Sequence, residues 1–241
     1  MSETKSALVF GGSGGIGIAI VKTLKDLGFK VVIADKRGPE PGRGDFYIPV
    51  DATQETDVKR AIAFAQSNFG SVDVVVNSHG VYLLEGIEET TYPEWKRVIE
   101  VNLNSVFLVC KHVIPLMKWQ REGGYIINIA SMSGLHGKAG KSAYCASKFG
   151  VVGLTESLFE ELRGSNVRIT AVCPASVNTP LTNNKHLLKR SEIEKILQPE
   201  DVAKTVGELA TSNKRILRRT VILEIEKWVD KYSRLKNSKL E

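Results

Sequence analysis

Seven short apolar runs alternate with helix-length segments along the chain, and this rhythm limits the fold more than any other feature. The runs are Ala7–Phe10, Val31–Ala34, Phe46–Val50, Val72–Val76, Tyr125–Ile129, Val167–Val172 and Thr220–Ile225. Helical patterns occupy roughly 16–27, 54–68, 93–118, 143–163 and 200–211. Continuously apolar strands separated by helices point to parallel strands buried on both faces. Right-handed crossovers then predict an α/β fold: a doubly wound, mostly parallel seven-stranded sheet, as a single domain over residues 1–241. One connection is unusual. Lys36–Asp45 reads KRGPEPGRGD, with two prolines and three glycines, a composition that opposes a helix. The second crossover is therefore predicted to be a shortened loop.

Hydrophobic residues make up 42% of the 241 positions and charged residues 25%, enough apolar material for a sizeable core. No uncharged apolar run approaches the ~18 residues of a membrane helix. The opening MSETKSALVF enters a strand pattern at once, so no signal peptide is expected. Cys110, Cys145 and Cys173 are too few and too scattered for a disulfide framework or a thiolate zinc site. These features predict a cytoplasmic protein. Most of the net charge of +6 falls in residues 185–241. Acids are interspersed there, as in EIEKWVDKY, so a solvated surface is expected rather than a nucleic-acid or membrane partner.

The segment Val9–Gly17, VFGGSGGIG, follows the first strand and opens a helix. Glycines permit the turn and let a pyrophosphate approach the helix N-terminus. Asp35 closes the second strand, 24 residues beyond Gly11. An acid in that place accepts the ribose hydroxyls of a dinucleotide. The same carboxylate repels a 2′-phosphate, which favours NAD over NADP. Lys36 and Arg37 follow immediately and are the residues that would neutralise such a phosphate. This is the pattern of a Rossmann-type nucleotide site.

Tyr144 and Lys148 lie four apart in a helical pattern and share a face. A cation beside a tyrosine favours its phenolate, making a proton donor and acceptor. Ser131 lies just past the strand Tyr125–Ile129, at the strand end where ligands gather. Together with Asn77 and the glycine turn, this set resembles the short-chain dehydrogenase/reductase family over nearly the whole chain. The resemblance implies that Gly11, Ser13, Gly15, Ile16 and Gly17 form the cofactor turn, that Asp51 and Ala52 lie at the adenine, and that Asn77 supports the cofactor. It implies that Pro174, Val177 and Thr179 border the nicotinamide, and that Asn102 helps hold a proton-relay water. Ser131 and Tyr144 would bind the substrate oxygen, while Lys148 lowers the tyrosine pKa and binds the nicotinamide ribose. The activity implied is hydride transfer between a nicotinamide cofactor and a secondary alcohol or ketone, in a homodimer or homotetramer built on the helices at 93–118 and 143–163. No metal is implied. Phe10, Ser78, His79 and Ala175 depart from the family's common pattern, as does the lack of a Gly-Gly after the last strand.

Two other functions fit parts of this reading. One is a 3-oxoacyl-thioester reductase using NADPH, whose acidic carrier would suit the basic C-terminal region; Asp35 counts against it. The other is a catalytically silent dinucleotide-binding sensor, which the complete Ser131, Tyr144, Lys148 and Asn102 set opposes. His79 and His136 are expected to be hydrogen-bonded structural residues, and Cys145 a small apolar filler. Met132, Ser133, His136 and Lys141 are candidates for the substrate wall. Residues about 181–198 are expected to form a substrate lid. Residues 226–241 carry an apolar stripe with a basic outer face, expected to form an amphipathic tail that packs on a neighbouring subunit or beside the substrate entrance.

Overall fold

A computed structural model describes residues 4–38, 46–183 and 195–225. The predicted lid is therefore described only at its two ends, and the predicted C-terminal helix over 226–241 lies outside the described residues. All seven predicted strands form: β1 (Ser6–Phe10), β2 (Lys30–Asp35), β3 (Phe46–Pro49), β4 (Val74–Asn77), β5 (Gly124–Ile129), β6 (Val167–Pro174) and β7 (Thr220–Leu223). Every pairing is parallel, in the order β3-β2-β1-β4-β5-β6-β7. The sheet is a single doubly wound layer of Rossmann type. The chain reverses its direction of winding between β1 and β4, the place where such sheets open a crevice at their carboxyl ends.

Strand residues alternate between two cores. Leu8, Phe10, Val32, Val75 and Ile126 pack on one face with the helices α2 (Glu55–Phe69), α4 (Ser105–Trp119) and α5 (Ser142–Glu161). Ala7, Val9, Ile33, Val76 and Ile127 pack on the other with α1 (Gly15–Asp26) and α7 (Pro199–Thr211). Both faces are dry, which is why these strands read as unbroken apolar runs. Two shorter α-helices are also described, α3 (Tyr92–Ile99) and α6 (Pro180–Asn183).

The structure corrects the sequence in three places. The helix predicted over 93–118 is two α-helices, α3 and α4, joined by a π-helical turn at Glu100–Asn104. A capping box at Thr91 and Glu94 fixes its start. The stretch Tyr92–Trp119 has the length and mean hydropathy of a membrane-crossing helix, but Val106, Val109, Val113 and Met117 are buried against the sheet. Next, β4 begins at Val74 rather than Val72, because the Val72 N–H donates to Gln120 Oε1 at 2.8 Å instead of joining the ladder. Finally, β7 ends at Leu223, before Ile225.

Two glycines set the seating of α1 on the sheet. Gly11 sits at φ +78°, and a side chain there would strike the His79 backbone at 2.5 Å. A Cβ on Gly17 would lie 2.0 Å from the Gly11 carbonyl oxygen. Helix α1 can therefore begin this close to β1 only if both positions are bare. The variant Gly17→Ala is expected to lower the unfolding free energy by about 1–3 kcal/mol, the usual scale of overpacking. A urea titration checks this, and an unchanged midpoint would mean that α1 has room to slide.

Candidate active site

The first turn of α1 carries its backbone N–H groups toward the cleft. The Ile18 N–H is bonded to the Gly14 carbonyl at 2.9 Å, so the helix's own bonds start there. Gly14 supplies no capping side chain, and the first turn holds no acid. This is a helix N-terminus with its positive end left for an anion. Ser13 Oγ and Ser78 Oγ are both buried and without a partner beside the turn. A bare glycine cradle, open N–H groups and two orphaned hydroxyls fit the pyrophosphate and ribose of a dinucleotide. Gly11, Ser13, Gly15, Ile16 and Gly17 would hold it, with Thr179 packed 2.9 Å from where a Gly15 Cβ would stand.

Asp35 stands at the carboxyl end of β2 beside this turn. Its Oδ2 accepts the Ser13 N–H at 3.0 Å and its Oδ1 accepts the Arg37 N–H at 3.2 Å. Lys36 points elsewhere: its ammonium pairs with Asp51 Oδ2 at 2.7 Å. Asp51 also accepts from the Thr53 N–H and hydroxyl. Partial burial raises the Asp51 carboxyl pKa, but the bonds from Lys36 and Thr53 outweigh it and hold the group below its ordinary value. Ala52, next in the chain, packs on the sheet core.

Ser131, Tyr144 and Lys148 come together from two elements. Ser131 follows β5 and begins a short 3-10 turn at Met132–Gly134, its Oγ accepting the Ser133 N–H at 3.1 Å. Gly134 lets this turn press on α5, since a Cβ there would meet the Lys148 carbonyl at 2.6 Å. That contact brings the Ser131 hydroxyl to Tyr144. Burial pushes the Tyr144 phenol up to about 12, while its hydrogen bond with Ser131 pulls the other way. Burial also pushes Lys148 down to about 8. Its ammonium donates to the Ile129 carbonyl at 2.9 Å and lies 5.9 Å from the Tyr144 ring centre. Burial governs both groups, and Ser131 is the group that favours the phenolate.

The four catalytic candidates are not all at the cleft surface. Asn102 lies in the π turn, fully buried, with its Oδ1 accepting the Val81 N–H at 2.7 Å. Its amide donates to the Val81 carbonyl at 2.9 Å and to Ser147 Oγ at 3.0 Å. The side chain is occupied in pinning the cleft wall to α5. Asn77, read as a cofactor residue, is also internal: its amide donates to Asn128 Oδ1 at 2.8 Å, tying β4 to β5 inside the core. Asn128 in turn donates to Thr155 on α5 at 2.9 Å. Sequence position alone does not tell a sheet tie from a ligand contact.

A cleft of ≈ 880 Å³, counting its open mouth, joins the glycine turn to Tyr144. Ile16, Ser131, Lys148, Pro174, Val177 and Thr179 line it as expected. Met132, Ser133 and Lys141 line it too, whereas His136 is exposed and outside it. The sequence reading missed Tyr82 and Lys138 in the wall, whereas Leu181, also in it, opens the predicted lid. Tyr82 follows β4, and the rule that ligands gather past strand ends could have found it. The two feet of the predicted lid are anchored. Helix α6 begins one, and Leu197 forms the other by exchanging backbone bonds with Ser176 and Asn178.

His79 also borders the cleft. Its Nε2 meets Ser105 Oγ at 2.5 Å, and Ser105 itself donates to the Val101 carbonyl at 2.7 Å. The ring is thereby tied to Ser105 of α4. Burial, with Lys148 nearby, pushes it down to about 4.

A family profile described as short chain dehydrogenase matches residues 5–189. D-beta-hydroxybutyrate dehydrogenase of Rhizobium meliloti is 36% identical over 194 residues, covering 76% of this chain and 75% of that one. The 3-oxoacyl-(acyl-carrier-protein) reductase of Thermotoga maritima is 31% identical over 237 residues, covering 91% and 96%. Among solved structures, the ligand-free aldohexose dehydrogenase of Thermoplasma acidophilum superimposes with a TM-score of 0.83 at 32% identity, over 91% of this chain and 92% of that one. A 3-ketoacyl-(acyl-carrier-protein) reductase from Brucella melitensis complexed with NADH gives 0.82 at 28% identity, over 91% and 96%.

The half-buried His79 has a consequence for stability. An unfolded chain protonates it near pH 6.5, whereas the folded chain refuses the proton until about pH 4. Stability is therefore lost as pH falls through that window, by at most ~3 kcal/mol and less where the ring meets the cleft. In urea titrations between pH 7 and pH 4, His79→Gln is expected to show a shallower loss than the parent. Parallel curves would remove His79 as a source of acid sensitivity.

Proposed function

The chain belongs to the short-chain dehydrogenase/reductase family, and from that premise we propose that it interconverts a secondary alcohol and a ketone with NAD(H). It is a nicotinamide-dependent oxidoreductase. The observation that carries the proposal is that Ser131, Tyr144 and Lys148 line one cleft together with Ile16 of the glycine turn.

When bound, the nicotinamide gives or takes the hydride. The protein's own groups do the rest. Ser131 and Tyr144 hydroxyls converge on the substrate oxygen and fix its position. At neutral pH the Tyr144 phenol is protonated, so it donates to the oxygen of a ketone that gains hydride and takes that proton back in the reverse direction. Lys148, held by the Ile129 carbonyl, stands ready to compensate the phenolate. Asn102 keeps the Val81 backbone against this group and so maintains the wall through which a proton leaves.

The position of Asp35 supports NAD over NADP. It stands beside the turn, and Lys36, one of two cations that would answer a 2′-phosphate, is tied to Asp51. The acyl-thioester reading has the T. maritima relative in its favour, and the same Asp35 against it. Phe107 on α4 and Phe149 on α5 are both exposed in the single chain. Their exposure supports self-association through these helices.

A panel of secondary alcohols and ketones run with both cofactors tests the reading. Tyr144→Phe is expected to keep NADH binding and lose at least ~100-fold in turnover, the scale of general acid–base loss. Near-parental turnover by that variant would overturn the mechanism. Fluorescence titration is expected to show tighter binding of NADH than NADPH, with Asp35→Ala narrowing or reversing the gap. Tighter NADPH binding by the parent would instead raise the acyl-thioester reading.

A further inference from the structure

A second cavity lies at the opposite end of the sheet from the candidate active site. It opens at the amino ends of β5 and β6, beside the end of α5, with a volume of ≈ 350 Å³ counting its mouth. Phe159, Leu162 and Leu217 give it apolar walls, and Tyr125 adds a second ring. Arg163, Arg168 and Arg218 line the same space.

The charges gather around those two rings. The Arg168 guanidinium lies 4.0 Å from the centre of the Tyr125 ring, and Arg218 is near enough for its charge to favour the Tyr125 phenolate. Arg163 and Arg219 stand over the Phe159 ring at 5.6 and 4.8 Å. No aspartate or glutamate is among the cavity's described lining residues. Just outside it, the single carboxylate of Glu160 is shared by Arg163 and Arg219. One anion thus answers two of the four cations. Among the described residues no acid pairs with Arg168 or Arg218.

Arg168 shows what this imbalance means. It is half-buried, and burial pushes its pKa below the ordinary value. Its Nη1 donates to Ser212 Oγ at 3.0 Å and to the Asn213 carbonyl at 3.4 Å. A ring face and two neutral oxygens are its described partners, although a charge withdrawn from water is ordinarily matched by an opposite charge. Guanidinium forks suit phosphate oxygens, which they can take two at a time. Several cations around one space favour a doubly charged group over a single carboxylate. The apolar walls beside them favour a phosphate that carries a small apolar substituent over the free ion.

We infer that this cavity is a binding site for a small phosphate monoester, its phosphate received by Arg168 and Arg218 and its apolar group set against Phe159, Leu162 and Leu217. The site is separate from the cleft that holds Tyr144, and the inference does not depend on the alcohol–ketone reading. Arg218 is the residue to change. It is exposed and without an acid partner among the described residues, and its one described bond, from the Thr170 hydroxyl, goes to its backbone carbonyl and survives substitution.

The experiment is calorimetric titration of the full chain with phenyl phosphate and, separately, with inorganic phosphate. Phenyl phosphate is expected to bind saturably and at least ~tenfold more tightly than the free ion, because only the ester can use the apolar walls. Arg218→Met should weaken phenyl phosphate by about tenfold or more, the scale of a lost charge-assisted bond. Arg215→Met removes an equal charge from a residue outside the cavity and should change the affinity by no more than about twofold, as expected for an exposed charge. Circular dichroism checks that both variants fold. Phosphates also suit the glycine turn, so the variants decide the location. Binding that Arg218→Met leaves unmoved would place the ligand elsewhere and overturn the inference. Equal losses in the two variants would reduce the effect to net charge and overturn it too. Absence of saturable binding, or equal affinity for phenyl phosphate and inorganic phosphate, would likewise overturn it, leaving Arg168 as a pin between β6 and the residues after α7.

Discussion

Parallel neighbours cannot be joined by a tight turn, so each strand here must be carried back across the sheet before the next begins. The crossovers cover both faces with helices, and the strand interiors turn entirely apolar. What remains free of that packing is the row of carboxyl ends. Gly11, Asp35, Asp51, Ser131 and Pro174 all lie at or just past such ends, brought together by strand order although they are far apart in the chain. The cleft is a product of where the winding reverses, between β1 and β4.

Burial is the second theme of the site. The proposed proton-transfer pair, Tyr144 and Lys148, is displaced from ordinary titration by loss of water, upward for the phenol and downward for the ammonium. Both shifts favour the neutral form. The surrounding polar groups are correspondingly well tied: Lys148 to Ile129, Asn102 to Val81 and Ser147, Asn128 to Thr155. A buried network of this kind holds the reacting groups in place because each member would be costly to leave unmatched.

Elements whose signal is local were readable in the sequence. Seven apolar runs became seven strands, and the Ser131, Tyr144 and Lys148 set does assemble, because helix periodicity and the strand-end rule fix those positions. The π turn at 100–104 was not readable; Asn102 within it bonds to Val81, a partner on another segment. The Lys36–Asp51 pair was hidden for the same reason: its members are joined by side-chain reach between two strand ends, not by spacing. Asn77 was assigned to the cofactor by the family resemblance of Asn77–Gly80, and its bond to Asn128, a residue distant in the chain, was not readable. The desolvation of Tyr144 and Lys148 was not readable, because a sequence shows neighbours but not depth.

The π turn also constrains how the chain can change length. An α-helix turns by about 100° per residue, so a bulge of this kind is a one-residue phase shift between α3 and α4. On its N-terminal side, α3 is placed by its cap; on its C-terminal side, α4 buries Val106, Val109, Val113 and Met117. Removing a residue between 100 and 104 would make a more regular helix yet rotate the whole buried stripe of α4 away from the sheet, or pull Asn102 off Val81. Adding one would do the same in the other sense. The irregular turn thus acts as a length lock: insertions and deletions tolerated in an ordinary surface helix are closed to this one.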